Sequence, residues 1–473
     1  MGHNWKELAH LRRDTFLADL QRFLAINSIE DMTTAEEGKP FGAGVAEALE
    51  YMLARGQADG YVTRNVDGYA GVIEYGEGPE EIGVLVHVDL VTVGEGWTTP
   101  PFEPSIRDGK IYARGALDDK GPALAAYYAM NIVKDSGVPL SKKVRFIIGT
   151  DEESGWLCMK HFLEKETLPQ VGFSPDASFP IIHAEKGQIN PTLTIPPDSE
   201  MAAGGGLKLL SFVSGNQGNS VPDRAVAIVS ADEPSILQEM LAKWPAFVTE
   251  KSTSGEAAIG EDGNLELTLF GINAHGMEPQ IGKNAGTTLA CFLRQFPFEG
   301  SAFSYISLLS DILHEDFYAE RLGLACEDEV SGKLTVNAGI LRYSQTEGGS
   351  VRLNIRYPAT ISKEERIERL KGRVAEMGLT LAELRSSTAH YVPSDHVVVQ
   401  TLSRVYEEHT GVPAELLSSG GATYAKMMSS GVAFGPLFPG RVSTAHQTDE
   451  HIEIEDLMRA MAIYAQAIYE LAK

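Results

Sequence analysis

The segment "LVHVDLV" (85–91) carries His87 and Asp89 two positions apart at the end of an apolar run. On a strand, residues i and i+2 share a face, so both polar groups are expected to point the same way. One such pair is an ordinary buried feature, but four further segments change its meaning. "ARGALDDKGP" (113–122) sets Asp118 and Asp119 side by side just before a helix start. One Asp there would serve as an N-cap. Two adjacent carboxylates repel unless a proton or cation lies between them, and a carboxylate can bridge two metal ions with its two oxygens. "GTDEESGW" (149–156) follows an apolar strand with three consecutive acids. Neighbouring side chains diverge, so Glu153 can ligate a cation while Glu152 stays free as a base. "FSPDASFP" (173–180) offers Asp176, and "RVSTAHQTDEHIEIEDL" (441–457) offers His446, each at a loop edge. Imidazole and carboxylate are the donors that suit Zn²⁺, and also Mn²⁺ or Co²⁺. Together the segments predict a divalent-metal centre.

The elements that would have to position these groups can be read from periodicity. "DTFLADLQRFLAI" (14–26) places Phe16, Leu17, Leu20, Phe23 and Leu24 on one helical stripe. Strand-like pieces lie at 71–76, 82–88 and 143–150. Between the last two, "DKGPALAAYYAMNIVKDSG" (119–137) reads as a helix with Pro122 near its start and Gly137 at its end. Strands alternating with helices predict an α/β fold, a catalytic domain with a mostly parallel sheet flanked by helices. Functional residues in such folds gather beyond the strand C-termini, where His87, Asp89 and the acids after Thr150 would fall.

The texture changes near residue 187. A Gly-rich stretch (201–223) precedes alternating strands such as "LELTLFG" (265–271) and "VRLNIRYP" (351–358). In the latter, Val351, Leu353, Ile355 and Tyr357 face one side, and Arg352, Asn354 and Arg356 the other. A Ser362–Glu365 capping box then opens a helix. Helix–loop–strand patterning returns after about 388. The reading is a catalytic domain over 1–187 and 388–473, with an inserted α+β domain over 188–387.

The 473 residues exceed one comfortable core, and the composition is that of a globular protein. The formal net charge of −25 and the lack of a Lys/Arg cluster argue against a nucleic-acid partner. No apolar run is long enough to span a bilayer, and the N-terminal segment lacks a secretory apolar core, so a cytoplasmic location with no membrane partner is expected. Cys158, Cys291 and Cys326 are odd in number and far apart, which fits a reducing compartment. No GxSxG elbow is present, and "HEDFY" (314–318) is not HExxH.

The motifs "HVD", "ARGALDDKGP", "TDEESGW", "SPDASFP", "AHGMEP", "NIRYP", "GGATYAK" and "AHQTDE" follow one another in that order. Over essentially its whole length the chain resembles the dinuclear metallopeptidases related to carboxypeptidase G, aminoacylase and acetylornithine deacetylase, in particular their PepV-like dipeptidase branch. The resemblance implies two divalent ions, with Zn²⁺ favoured over Mn²⁺ or Co²⁺. His87 and Asp176 would hold one, Glu153 and His446 the other, and Asp118, selected over Asp119 by the D-x-K-G register, would bridge them. Asp89 would orient the His87 ring, and Glu152 would be the general base in attack by a metal-activated water. The inserted domain would act as a lid over a short peptide. It would bring His275 as oxyanion donor, Arg356 as a fork for the substrate's C-terminal carboxylate, and Asn219 beside it. Gly421 of "GGATYAK" is a further substrate contact that the resemblance implies. Thr92 and Lys426 depart from the family's more usual Pro and Arg.

The implied activity is a metal-dependent dipeptidase acting on small peptides with a free N-terminus, and the longer insertion resembles that of the family's monomeric branch, which implies a monomer. The alternatives are an N-acyl amino-acid amidohydrolase of the deacetylase type, and a non-catalytic peptide-binding protein on the same scaffold.

Overall fold

In the computed structural model, residues 4–198 and 206–473 are described. The beginning of the Gly-rich stretch lies outside them. The chain divides into two compact units. One comprises Met1–Ala184 and Tyr391–Lys473, and the other Glu185–His390.

The first unit is built on a mixed sheet. Its centre consists of parallel strands in the spatial order Lys143–Gly149, Glu81–His87, Val171–Ser174 and Ser430–Ala433. Ala70–Tyr75 and Val62–Val66 add antiparallel strands on one side, and Ile181–Glu185 adds one on the other. The three parallel strands that lead to site residues, Lys143–Gly149, Glu81–His87 and Val171–Ser174, therefore lie side by side at the centre of the sheet. These strands are buried almost throughout, as "VLV" and "FIIG" require when helices cover both faces.

The helix Lys120–Asp135 packs against this sheet and is buried nearly all round, its Ala-rich sequence allowing close approach. Ile454–Ala472 lies against it. Arg13–Leu24 contributes Phe16, Leu20, Phe23 and Leu24 to the same core. A Phe23→Ala change there would cost about 3–5 kcal/mol, the usual range for emptying a buried aromatic site. The buried Lys120 ammonium donates to the Phe23 and Ile26 carbonyls at 3.2 and 2.6 Å, tying this helix to the C-terminal end of Arg13–Leu24. Burial pulls its pKa down to about 7.

The second unit is an antiparallel sheet of eight strands among the described residues, with helices packed on its core face. In Gly348–Tyr357, Val351, Leu353 and Ile355 enter that core. The opposite face is not the solvated surface that alternation alone would suggest, since Asn354 and Arg356 are 2% and 3% exposed. Ser362 caps the helix Lys363–Glu376 by accepting from the Glu365 amide at 3.3 Å. The Glu365 carboxylate pairs with Arg366.

Candidate metal and catalytic site

The parallel register His87↔Gly149 brings two strand ends level, so the residues that follow each strand emerge side by side. Val88 donates to the Gly149 carbonyl at 3.1 Å and extends the pairing one step. Gly149 is required there. A Cβ would lie 2.3–2.6 Å from the ring of Tyr424, which also meets His87 and Trp156 edge-on at 6.4 and 5.2 Å and bonds Cys158 Sγ at 2.9 Å. The acidic loop after Gly149 is folded by Asp151, whose buried carboxylate accepts from Ser154 and from the amides of Gly155 and Leu157 at 2.8 and 2.6 Å. This leaves Glu152 and Glu153 to face the site. The adjacent parallel strand Val171–Ser174 delivers Asp176 at the same edge. Asp118 precedes the helix Lys120–Asp135, and the Asp118–Asp119 peptide bond is cis. His446 occupies a left-handed backbone position, φ 63°, uncommon for a residue with a side chain.

Asp118 stands at the centre of these groups. Its Oδ1 lies 3.1 Å from His87 Nε2, and its Oδ2 lies 2.9 Å from His446 Nε2. His446 Nε2 is also 3.0 Å from Glu153 Oε1. Asp176 Oδ2 is 3.8 Å from His87 Nε2. Donor atoms of His87, Glu152 and Asp176 fall within 4.8 Å of one another, as do those of His87, Asp118 and Glu153. Asp119 is turned away and accepts from the His87 amide at 3.2 Å.

Asp89 reaches His87 differently from the strand argument. The strand ends at His87, so alternation does not extend to Asp89. His87 Nδ1 lies 3.1 Å from the Asp89 carbonyl and 3.4 Å from its Oδ1, while Asp89 Oδ2 accepts from the Glu153 amide at 2.9 Å. Asp89 thus orients the His87 ring and fixes the backbone of Glu153 together.

The electrostatics follow from crowding and burial. Burial, then the Asp176 charge, pushes the Glu152 carboxyl well above the usual range. Burial and Asp118 do the same to Asp176 and raise Glu153. Burial alone would lower the two imidazoles, but Asp118 with Asp89 holds His87 well above its ordinary value, and Asp118 with Glu153 lifts His446 to about 11. Asp118 is lowered against its burial by the hydrogen bonds of both histidines. Such a cluster holds excess negative charge that protons or divalent cations can neutralise. Its mixed nitrogen and oxygen donors fit a Zn²⁺-, Mn²⁺- or Co²⁺-type ion.

Sequence reasoning overlooked Glu450 and Arg114. Both are fully buried and ion-paired at 2.7 Å, directly behind the Asp118 loop. Burial pushes the Glu450 carboxyl up to about 7. Both residues lie inside quoted motifs, Arg114 in "ARGALDD" and Glu450 in "AHQTDE", but they stand 336 positions apart, and nothing local in the sequence pairs them. Gly421, in the same unit, donates its amide to Ser419 Oγ at 2.9 Å.

The other named residues belong to the second unit, which gathers them at one end of its sheet. Gly276 N donates to the Asn219 carbonyl at 2.6 Å, so the His275 and Asn219 loops are joined. Asn337 Nδ2 holds the Gly218 and Ser220 carbonyls at 3.0 and 2.8 Å. Thr335 pairs with Arg356 across the sheet and donates to the Met277 carbonyl at 3.3 Å. His275 Nδ1 accepts from the Met277 amide at 3.1 Å, which places the ring proton on Nε2 as a donor. Arg356 donates from Nε to Asn354 Oδ1 at 3.0 Å, and Asn354 donates in turn to Asn190 Oδ1 at 2.6 Å. Burial lowers the Arg356 pKa to about 10, so it stays charged at neutral pH.

Among the described residues no helix is long and apolar enough to cross a membrane. Relatives align along almost the entire chain. "Putative dipeptidase YtjP" of Bacillus subtilis (strain 168) is 48% identical over 470 residues, covering 99% of this chain and 100% of its own. "Putative dipeptidase SSP1012" of Staphylococcus saprophyticus is 37% identical over 467 residues, 99% of each chain. Among solved structures, the M20 family metallo-carboxypeptidase Sso-CP2 from Sulfolobus solfataricus superposes with a TM-score of 0.58 at 15% identity, covering 96% of this chain and 99% of that one. The di-peptidase Dug1p from Saccharomyces cerevisiae gives 0.57 at 14%, covering 100% of both. These two share the fold. The family model for peptidase family M20/M25/M40 matches residues 83–470, a span that holds every group assembled around Asp118, and the chain belongs to that family of peptide-bond hydrolases.

Proposed function

We propose that the chain is a metal-dependent dipeptidase that cleaves the peptide bond of dipeptides with a free N-terminus. The observation that carries the reading is the placement of Asp118, one oxygen against His87 and the other against His446, with a separate half-buried carboxyl, Glu152, close by. His87 and Asp176 would hold one divalent ion, Glu153 and His446 a second, and Asp118 both. Zn²⁺ is favoured, and Mn²⁺ or Co²⁺ would also suit the donors. Bound there, such a pair supplies Lewis acidity to the scissile carbonyl and lowers the pKa of water.

The chain's own residues do the rest. Glu152, whose pKa is raised by burial, accepts the proton of the attacking water and returns it to the leaving amine. Asp89 keeps the His87 ring in one orientation. His275 Nε2–H donates to the developing oxyanion. The Arg356 guanidinium takes the substrate's terminal carboxylate, for which its planar fork is suited, with Asn219 and Gly421 as further contacts. The printed names of the Bacillus and Staphylococcus relatives support dipeptides over other peptides.

The test is a substrate panel of dipeptides and N-acetyl amino acids, assayed on the full chain with added Zn²⁺, Mn²⁺ or Co²⁺. Dipeptide turnover is expected with at least one ion. Turnover of the acetylated compounds alone would overturn the reading in favour of an amidohydrolase. Stoichiometric metal and peptide binding without turnover would leave a binding protein.

A further inference from the structure

We propose that Glu450 is a positioning residue that fastens the loop bearing Asp118 to the loop bearing His446, so that these ligands meet their cations as one pre-set pair. The inference rests on the metal reading above and adds a part that the ligand set does not contain.

The Glu450 side chain is 0% exposed and accepts at both oxygens. Oε2 takes Arg114 Nη1 at 2.7 Å and the Gly115 amide at 3.1 Å. Oε1 takes the amides of Leu117 and Asp118 at 2.8 and 3.1 Å. Three main-chain N–H groups converging on one carboxylate fix the path of the turn 114–118, at whose end the Asp118 side chain leaves the backbone. The same residue works through its main chain, for its carbonyl accepts from Ala113 N at 3.1 Å. That bond continues the antiparallel pairing His451↔Tyr112 and Ile452↔Ile111. One ligand loop therefore leaves this two-stranded pairing forwards toward Asp118, and the other enters it backwards from His446. A neighbour braces the arrangement, since Asp449 Oδ1 accepts from the Thr98 amide and hydroxyl at 2.9 and 3.0 Å. Arg114 supplies the neutralising charge and reaches the Thr92 carbonyl at 3.1 Å with its other nitrogen.

A buried ion pair is by itself weak evidence for a stability role, because apolar residues of similar volume often replace one without loss. An apolar residue at 450 would here orphan three amides beside a ligand. Orientation is what the pair provides, and groups behind metal ligands typically change metal affinity 10–100-fold when altered.

The experiment measures Zn²⁺ affinity of the metal-stripped full chain by competition with a chromophoric chelator, with circular dichroism and Tm as folding controls. The variants are Glu450→Gln, Arg114→Lys and, as a buried ion-pair control elsewhere, Asp19→Asn. Asp19 lies in the helix Arg13–Leu24 and pairs with Arg55 at 2.8 Å. Glu450→Gln is expected to keep the native spectrum and lose about 10–100-fold in affinity. Arg114→Lys should lose less in the same direction, and Asp19→Asn should lower Tm without changing affinity. If Glu450→Gln does not fold, Arg114→Lys decides. Affinity within twofold of the parent in the deciding variant, or an equal loss in Asp19→Asn, overturns the inference. A parent protein that takes up no metal would instead overturn the functional reading beneath it.

Discussion

Around Asp118 the first unit collects acidic oxygens and imidazoles from distant points of the chain, and each raises or lowers the proton affinity of the next. Around Arg356 the second unit does the reverse. There the Arg356 guanidinium is buried beside neutral amides, donating to Asn354, which donates in turn to Asn190. The first cluster gathers excess negative charge that cations can neutralise, whereas the second holds a desolvated guanidinium beside amides that are paired with one another. The contrast teaches that strain and satisfaction are divided between the units. The ionic crowding sits at parallel strand ends and on the two loops that bring Asp118 and His446 to them, and the Arg356 network sits on a hydrogen-bonded ladder.

The sharpest way to break the comparison is at Glu152. Glu152→Gln should lower turnover about 10²–10⁴-fold, the range of general acid–base catalysis, with metal content unchanged in elemental analysis. Loss of metal instead would make Glu152 a ligand, which its proximity to His87 and Asp176 leaves room for. A smaller effect is expected at the other cluster. Arg356→Lys keeps the charge but loses the fork, and should lower kcat/KM for dipeptides roughly 30-fold, chiefly through KM, without touching metal affinity. Equal losses for dipeptides and for dipeptides amidated at the C-terminus would remove the carboxylate from its role.

The smallest expected effect is the dependence of stability on pH, and it concerns the first cluster only. Without metal, Glu152, Glu153 and Asp176 hold protons above the ordinary carboxylate range, and His87 and His446 above the ordinary imidazole value. The folded state therefore binds more protons than the unfolded chain, and these groups contribute less stability as pH rises through and beyond neutrality. Asp118 is shifted the other way, but its contribution is already complete above the ordinary carboxylate range. Metal displaces the extra protons and binds more tightly as pH rises. Differential scanning calorimetry of stripped and loaded protein should show a Tm gap that widens by a few degrees between about pH 6 and pH 8. A gap that narrows would mean that the cluster is not titrating as its geometry requires.

Much of the first cluster was legible because its chemistry is carried by residue types that have few other reasons to follow apolar strands. His87, Glu152, Glu153 and Asp176 stand just beyond runs that read clearly as apolar strands, whereas the choice of Asp118 over Asp119, and the pairing of these groups with His446, came from the family resemblance alone. What stayed hidden was the support. The helpers of His87 and Asp118 act through the backbone, with the Asp89 carbonyl and the amides of Gly115, Leu117 and Asp118 as partners, and main-chain groups leave no trace in composition. Glu450 was not singled out, because its partner Arg114 lies 336 positions away in the chain. The antiparallel flanks of the first sheet were hidden too, because strands such as Ala70–Tyr75 are as apolar as the parallel ones beside them. In the second unit, alternation in "VRLNIRYP" sorted the faces correctly but could not tell a solvated face from a buried polar one. That depends on Gln188, Asn190 and Asn337 arriving from other strands.

One position contributes no side chain to the site and yet shapes it. Gly149 lets the Tyr424 ring approach the backbone closely where the acidic loop begins. A methyl group there would act as a wedge, lifting the phenol from Cys158 and tilting the aromatic floor on which His87 and Trp156 lean. Damage at the reacting centre could thus originate in a residue with no side chain to lose.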